Sequence, residues 1–153
     1  MVAHYFYGTV IPGKMDAIFS GKATVDSLKK AAKEYEFNST ETITLWSEIH
    51  MVLVGKHGSR PVSHDPLSQA IVGVDFIDDG QVAYTSLEDL PPIIDALNKI
   101  DEEEFLQKYV QQNGKAEQFK ALAELKALQH FYSRCKTDYT SDDDIIIVGV
   151  YCD

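Results

Sequence analysis

Residues 64–85 read HDPLSQAIVGVDFIDDGQVAYT, and this stretch decides the class of fold. It opens on a short helix signed at both ends. Asp65 stands at the N-cap, and Pro66 takes the first helical position, where its missing N–H costs nothing. Gly73 falls just past the last turn. Two β-rich runs follow, Val74–Ile77 and Gln81–Thr85, around Asp78-Asp79-Gly80. Asp-Gly between such runs is a strong hairpin signal. A helix that hands over directly to a hairpin makes the chain a mixture of α and β.

Working outward, the preceding stretch predicts another helix. Asn38 and Glu41 have the spacing of a capping box, the body runs through Ile43–Val54, and Gly55 suits a left-handed stop. Its apolar residues cover most of its circumference, so a central position is expected. Further upstream, His4–Ile11 is aromatic and β-branched and reads as a strand ended by Pro12-Gly13. Helical segments are expected at Lys14–Ser20 and, capped by Thr24, at Val25–Phe37. Downstream, Leu90–Ile100 is a helix entered through Pro91 and Pro92. Asp101 caps the next helix, which Asn113-Gly114 stops, and Phe119–Cys135 makes a longer one. Ile145–Tyr151 is a continuous apolar β run, the mark of a strand inside a sheet. The expectation is one α/β domain over residues 1–153. It has a mixed sheet of about four strands covered by about six helices, with the two terminal strands side by side.

Composition bounds the function. The chain has 153 residues, 24 acidic against 14 basic, for a net charge of −10. A surface built to neutralise phosphates needs the opposite sign, so no nucleic acid is expected as partner. The longest apolar runs, Met51–Val54 and Ile145–Val148, are far too short to span a bilayer. The start, MVAHYFYGTV, lacks the features of a signal peptide, and a cytoplasmic protein is expected. Cys135 and Cys152 form no C-x-x-C pair and read as reduced, buried thiols. The negative charge is uneven: residues 1–76 carry −1 and residues 77–153 carry −9. Asp101, Glu102, Glu103, Asp142, Asp143 and Asp144 are the candidate acidic interaction surface for a basic protein partner. The same charges serve equally as solvated faces that keep the protein soluble. Three adjacent carboxylates lack the spaced ligands of a calcium loop.

Two constellations could carry chemistry. Trp46 and His50, four apart, share a helix face, as a base beside a stacking platform or as core packing. Asp65 and Ser68 have the spacing of a reciprocal cap, at a helix N-terminus that can also hold an anion. Trp46, His50, Asp65 and Ser68 therefore form the candidate pocket. Ser68 lies in a first helical turn rather than a nucleophile elbow. The five histidines show no zinc spacing, and no phosphate- or dinucleotide-binding glycine motif occurs. No cofactor and no metal are expected.

The segments TITLWSEIHMVLVGK and HDPLSQAIVGVDFIDDG together resemble the YfbM-like family of bacterial proteins of unknown function. Trp46, His50, Gly55, Asp65, Pro66, Leu67, Ser68, Gly73 and Gly80 carry the resemblance, and the order of the later elements agrees with it. Thr42, Thr44 and Val54 depart from the residues the family favours at those places. The resemblance implies a small α/β domain and no established activity. The residues themselves favour a non-catalytic binding protein, for example an immunity-type neutraliser of a toxin. The alternative is an enzyme or small-ligand binder using the candidate pocket.

Overall fold

The computed structural model describes residues 2–9, 39–58, 60–77, 82–138 and 144–151. In chain order these form β1 (Val2–Thr9), β2 (Ser39–Ile43), α1 (Trp46–Val54), α2 (Pro66–Val72), β3 (Asp75–Ile77), β4 (Val82–Ser86), α3 (Leu90–Asn98), α4 (Glu102–Asn113), α5 (Gln118–Asp138) and β5 (Asp144–Tyr151). The segments read as helices at 14–20 and 25–37, the Asn38 cap, the turn at 78–80, Asp142, Asp143 and Cys152 lie outside the described residues.

The five strands form one sheet in the order β2-β1-β5-β4-β3, and every neighbouring pair is antiparallel. The terminal strands do meet: Tyr5 of β1 pairs with Val148 of β5, which in turn pairs with Ala83 of β4. This corrects the expected α/β class, with its mixed sheet of about four strands under about six helices. Among the described residues the sheet has five strands and no parallel pair. Among the described residues there are five α-helices, which hold about twice as many residues as the strands. One source of the error is local. Residues 39–43, STETI, form the edge strand β2 against β1, with Ala3 opposite Ile43, so α1 starts at Trp46 rather than near Asn38. The alternation of β-branched Thr40 and Thr42 with Glu41 satisfies a half-covered strand, and the tertiary partner decides between that and a helix start.

Among the residues whose burial is described, most of the buried apolar side chains lie on helices. On α5 the buried residues Ala121, Leu125, Leu128, Phe131, Tyr132 and Cys135 recur at helical spacing along one face. That face meets the sheet through Tyr5 and Phe131, whose ring centroids are 6.0 Å apart. Helix α5 also packs on α3, α4 and β2, while α1 packs on α2 and α4. Cys135 is a buried thiol whose Sγ donates to the Phe131 carbonyl at 3.1 Å. Helix α3 starts at Leu90, with both prolines in its first turn as the sequence required.

Candidate functional site

Helix α2 is the centre around which the candidate residues gather. Asp65 at its N-cap accepts from Leu67 N–H at 2.9 Å and Ser68 N–H at 3.5 Å, so the cap is formed as the sequence predicts. Gly73 ends the helix with φ of 81°. The reciprocal half of the cap does not form. Ser68 turns its hydroxyl away from Asp65 and toward His50, with Oγ 2.8 Å from Nε2.

The geometry fixes the protons. His50 Nδ1 lies 2.6 Å from the Lys56 carbonyl, which can only accept, so Nδ1 carries the hydrogen. Nε2 then accepts from the Ser68 hydroxyl, and Ser68 Oγ in turn accepts from Val62 N–H at 2.9 Å. Both ring nitrogens and the hydroxyl are fully engaged by the fold. His50 and Ser68 are each 0% exposed. Burial lowers the His50 pKa, opposed by the hydrogen bond to the Lys56 carbonyl and the charge of Asp65. Asp65 spends its hydrogen bonds on the helix end, and the place a triad's carboxylate would take at Nδ1 belongs to a backbone carbonyl.

Trp46 is buried on the same face of α1, and its indole is covered by the loop that follows. A Cβ at Gly58 would lie 2.3 Å from Trp46 Cζ3, so only glycine allows that approach. The loop is stitched down further by Ser47, whose Oγ accepts from Gly58 N–H and bonds His57 Nε2 at 2.9 Å. Of the four residues singled out in the sequence, the structure joins His50 to Ser68 and sets Asp65 at the cap of the same helix, while the contact shown for Trp46 is with the loop at Gly58. It did not find Ser47, His57 or Gly58. A glycine in a polar loop was the one available signal, and it reads as an ordinary turn.

The other end of α2 is held from far away. Tyr132 OH donates to the Ala70 carbonyl at 2.6 Å, and Tyr5 OH to the Ile71 carbonyl at 3.0 Å. Burial raises the pKa of both phenols far above the ordinary tyrosine value, keeping them as donors. Helix α5 holds two more helix ends. Glu124 accepts from Thr44 N–H, Thr44 Oγ1 and Leu45 N–H at the start of α1, and Gln129 Nε2 donates to the Leu97 carbonyl at the end of α3.

The family profile described as a domain of unknown function, DUF1877, matches residues 14–139. This chain belongs to that family. A solved structure, described as YfbM from Escherichia coli, a protein of unknown function, is similar over 99% of this chain and 100% of its own, with a TM-score of 0.65 and 15% identity. At that identity the likeness concerns the fold alone. No curated protein matches.

Two surface concavities of this DUF1877 chain are lined by other residues. A cleft of about 240 Å³ opens where α1, α2, α3 and α4 meet, with Val52, Leu67, Ile100 and Phe105 among its walls and Lys99 and Lys108 on its rim. None of Trp46, His50, Asp65 and Ser68 lines it. Lys99 is paired with Asp95 at 2.8 Å and Lys108 with Glu104 at 3.0 Å, so neither ammonium is unspoken for. Among the described residues no group of three or more acidic, histidine or cysteine side chains could hold a metal, and no helix is long and apolar enough to cross a membrane. Of the acidic candidates, Asp101 caps α4 through Glu104 N–H at 2.8 Å, and Asp101, Glu102 and Glu103 are exposed. Glu102 pairs with Lys126 at 3.4 Å. Asp144 is the first residue of β5.

Proposed function

We propose that this DUF1877 protein works by binding another protein, with the acidic start of α4 as the docking element for a basic partner. The observation that carries the reading is the commitment of the buried His50–Ser68 pair to the fold. His50 and Ser68 have every ring nitrogen and the hydroxyl engaged internally and offer no atom to a substrate. The second reading, catalysis or small-ligand binding at Trp46, His50, Asp65 and Ser68, draws support from the short Ser68–His50 bond but has its two reactive side chains, His50 and Ser68, each 0% exposed. At the surface, Asp101, Glu102 and Glu103 present carboxylates to water in a chain of net charge −10. Long-range attraction of this sign speeds encounter with a cationic surface and is screened by salt. A concrete form of the proposal is an immunity-type protein that covers the active face of a basic toxin. The test is capture of partners from lysate at low and high salt, by the native chain and by the double variant E102K/E103K. The reading expects a partner retained at low salt and lost both at high salt and on charge reversal. Absence of any salt-sensitive partner would overturn it.

A further inference from the structure

Between α1 and α2 the chain runs over the buried His50–Ser68 pair as a strap, residues 56–58 and 60–62. The pair is tied to the strap backbone at both ends. His50 Nδ1 donates to the Lys56 carbonyl at 2.6 Å, and Ser68 Oγ accepts from Val62 N–H at 2.9 Å. The middle of the strap is held by α1: Gly58 lies against the Trp46 ring and donates to Ser47 Oγ at 3.2 Å, and Ser47 Oγ also bonds His57 Nε2. The strap puts little apolar surface of its own into the core. Lys56, His57, Arg60 and Pro61 are exposed and Val62 is half-buried. A segment held by a few polar contacts, with little burial, opens at far lower free energy than the whole fold. Its flanks suit such a movement. Gly55 turns the chain at φ of 82° with open space around it, and His64 is held at φ of 64°, a strained left-handed conformation that a lifted strap can relax.

One proton undoes this arrangement. With His50 neutral, Nδ1–H donates to Lys56 and Nε2 accepts from Ser68. A proton bound at Nε2 turns that acceptor into a donor. Ser68 Oγ must then accept from Nε2 and from Val62 N–H together, and its own hydrogen loses the acceptor it had. The ring would also carry its charge out of contact with bulk water, since His50 is 0% exposed. Asp65 at the N-cap of α2 favours the proton, and His57 on the strap opposes it. Raising the strap lets water reach the imidazolium and frees both ends of the pair. We propose that the strap is released by acid: it lifts from α1 and α2 when His50 takes a proton, and it uncovers the Trp46 ring. Burial lowers the pKa of His50 while the strap is down, so the closed form takes the proton only below 6.5, and the raised form takes it nearer that value. The raised-to-closed ratio therefore grows as pH falls below 6.5, by up to about tenfold per unit. The inference goes beyond the docking reading above and stands without it.

Trp46 is the chain's one tryptophan, so acrylamide quenching of its emission reads the strap directly. The full chain is followed from about pH 7.5 to about pH 5, a window that spans the ordinary histidine range. The quenching constant is expected to rise below 6.5 while far-UV circular dichroism stays native. The Gly58 and Val62 amides should lose protection from hydrogen exchange over the same range. S47A removes the anchor of Gly58 at a half-buried position and should move the rise to higher pH, by about half a unit or more. H50Q removes the titrating group and should flatten the rise. Should H50Q fail to fold, the S47A shift alone decides. A quenching constant flat across the range overturns the proposal, as does a rise that tracks loss of circular dichroism. So does a folded H50Q chain that keeps the rise, or an S47A curve that coincides with the native one.

Discussion

Helices α2 and α4 begin in the same way and end up in opposite settings. Each has an aspartate at its N-cap, Asp65 or Asp101, accepting from backbone N–H groups of the first turn, and each stops at a glycine, Gly73 or Gly114. Helix α2 is sunk in the interior. Its Ser68 is joined to His50, and its last carbonyls are taken by Tyr5 and Tyr132, residues more than sixty positions away. Helix α4 buries Phe105 and Tyr109 and shows its other side to water, where its carboxylates pair with lysines or remain solvated. The difference teaches that a cap read from sequence says where a helix starts and nothing about what the helix is for. In α2 the polar groups are consumed by packing, whereas in α4 they face water or pair at the surface.

The largest break in this comparison is S68A. It leaves His50 Nε2 without a partner in the interior and takes the acceptor from the half-buried Val62 N–H, a loss of about 2–4 kcal/mol together. Denaturant unfolding should show that loss, and a loss below about 1 kcal/mol would mean the hydroxyl is dispensable. G58A comes next, at about 3 kcal/mol, because its methyl would strike the buried indole of Trp46 rather than the end of a flexible chain. A melt unchanged in G58A would show that the loop is not pressed on the ring. Y132F removes the donor to the buried Ala70 carbonyl and should cost about 1–2 kcal/mol.

The paired variants D65A and D101A sharpen the comparison directly. Each removes a cap, worth about 1 kcal/mol, yet Asp65 is half-buried and serves two N–H groups while Asp101 is exposed and serves one. D65A should therefore be the more damaging, and equal costs would erase the distinction. The smallest effect at neutral pH is the titration of His50. Because burial lowers its pKa in the folded state, the unfolded chain takes up a proton first as pH falls. The contribution of the neutral imidazole is complete above 6.5 and is lost as pH drops below that value toward the lowered pKa. Imidazole resonances followed by NMR should place the His50 titration midpoint below 6.5, and a midpoint at or above it would contradict the burial argument.

What could be read along the chain was what neighbours in sequence decide. The Asp65 and Asp101 caps, Pro66 and the Pro91–Pro92 entry, the stops at Gly55, Gly73 and Gly114, and the pairing of the runs on either side of Asp78–Gly80 all rest on contacts within a few residues. The spacing of Trp46 and His50 puts both on one helix face but leaves core packing and a cleft equally open, and only the fold buries the two rings. The stretch STETI was misread because a cap pattern and a β-branched alternation coexist there, and only the partner strand β1 decides between them.

The sequence by itself determined where most of the described helices start and stop, the apolar faces they present, and an acidic C-terminal half, since these follow from backbone chemistry and local side-chain type. Tertiary structure alone decided that the sheet is antiparallel and five-stranded, and that Ser68 serves His50 instead of its own cap. It alone made Glu124, Gln129 and Tyr132 of α5 hold the ends of three other helices. Those outcomes join groups up to about eighty residues apart, and a buried polar group takes whichever partner the packing of apolar surfaces brings within reach.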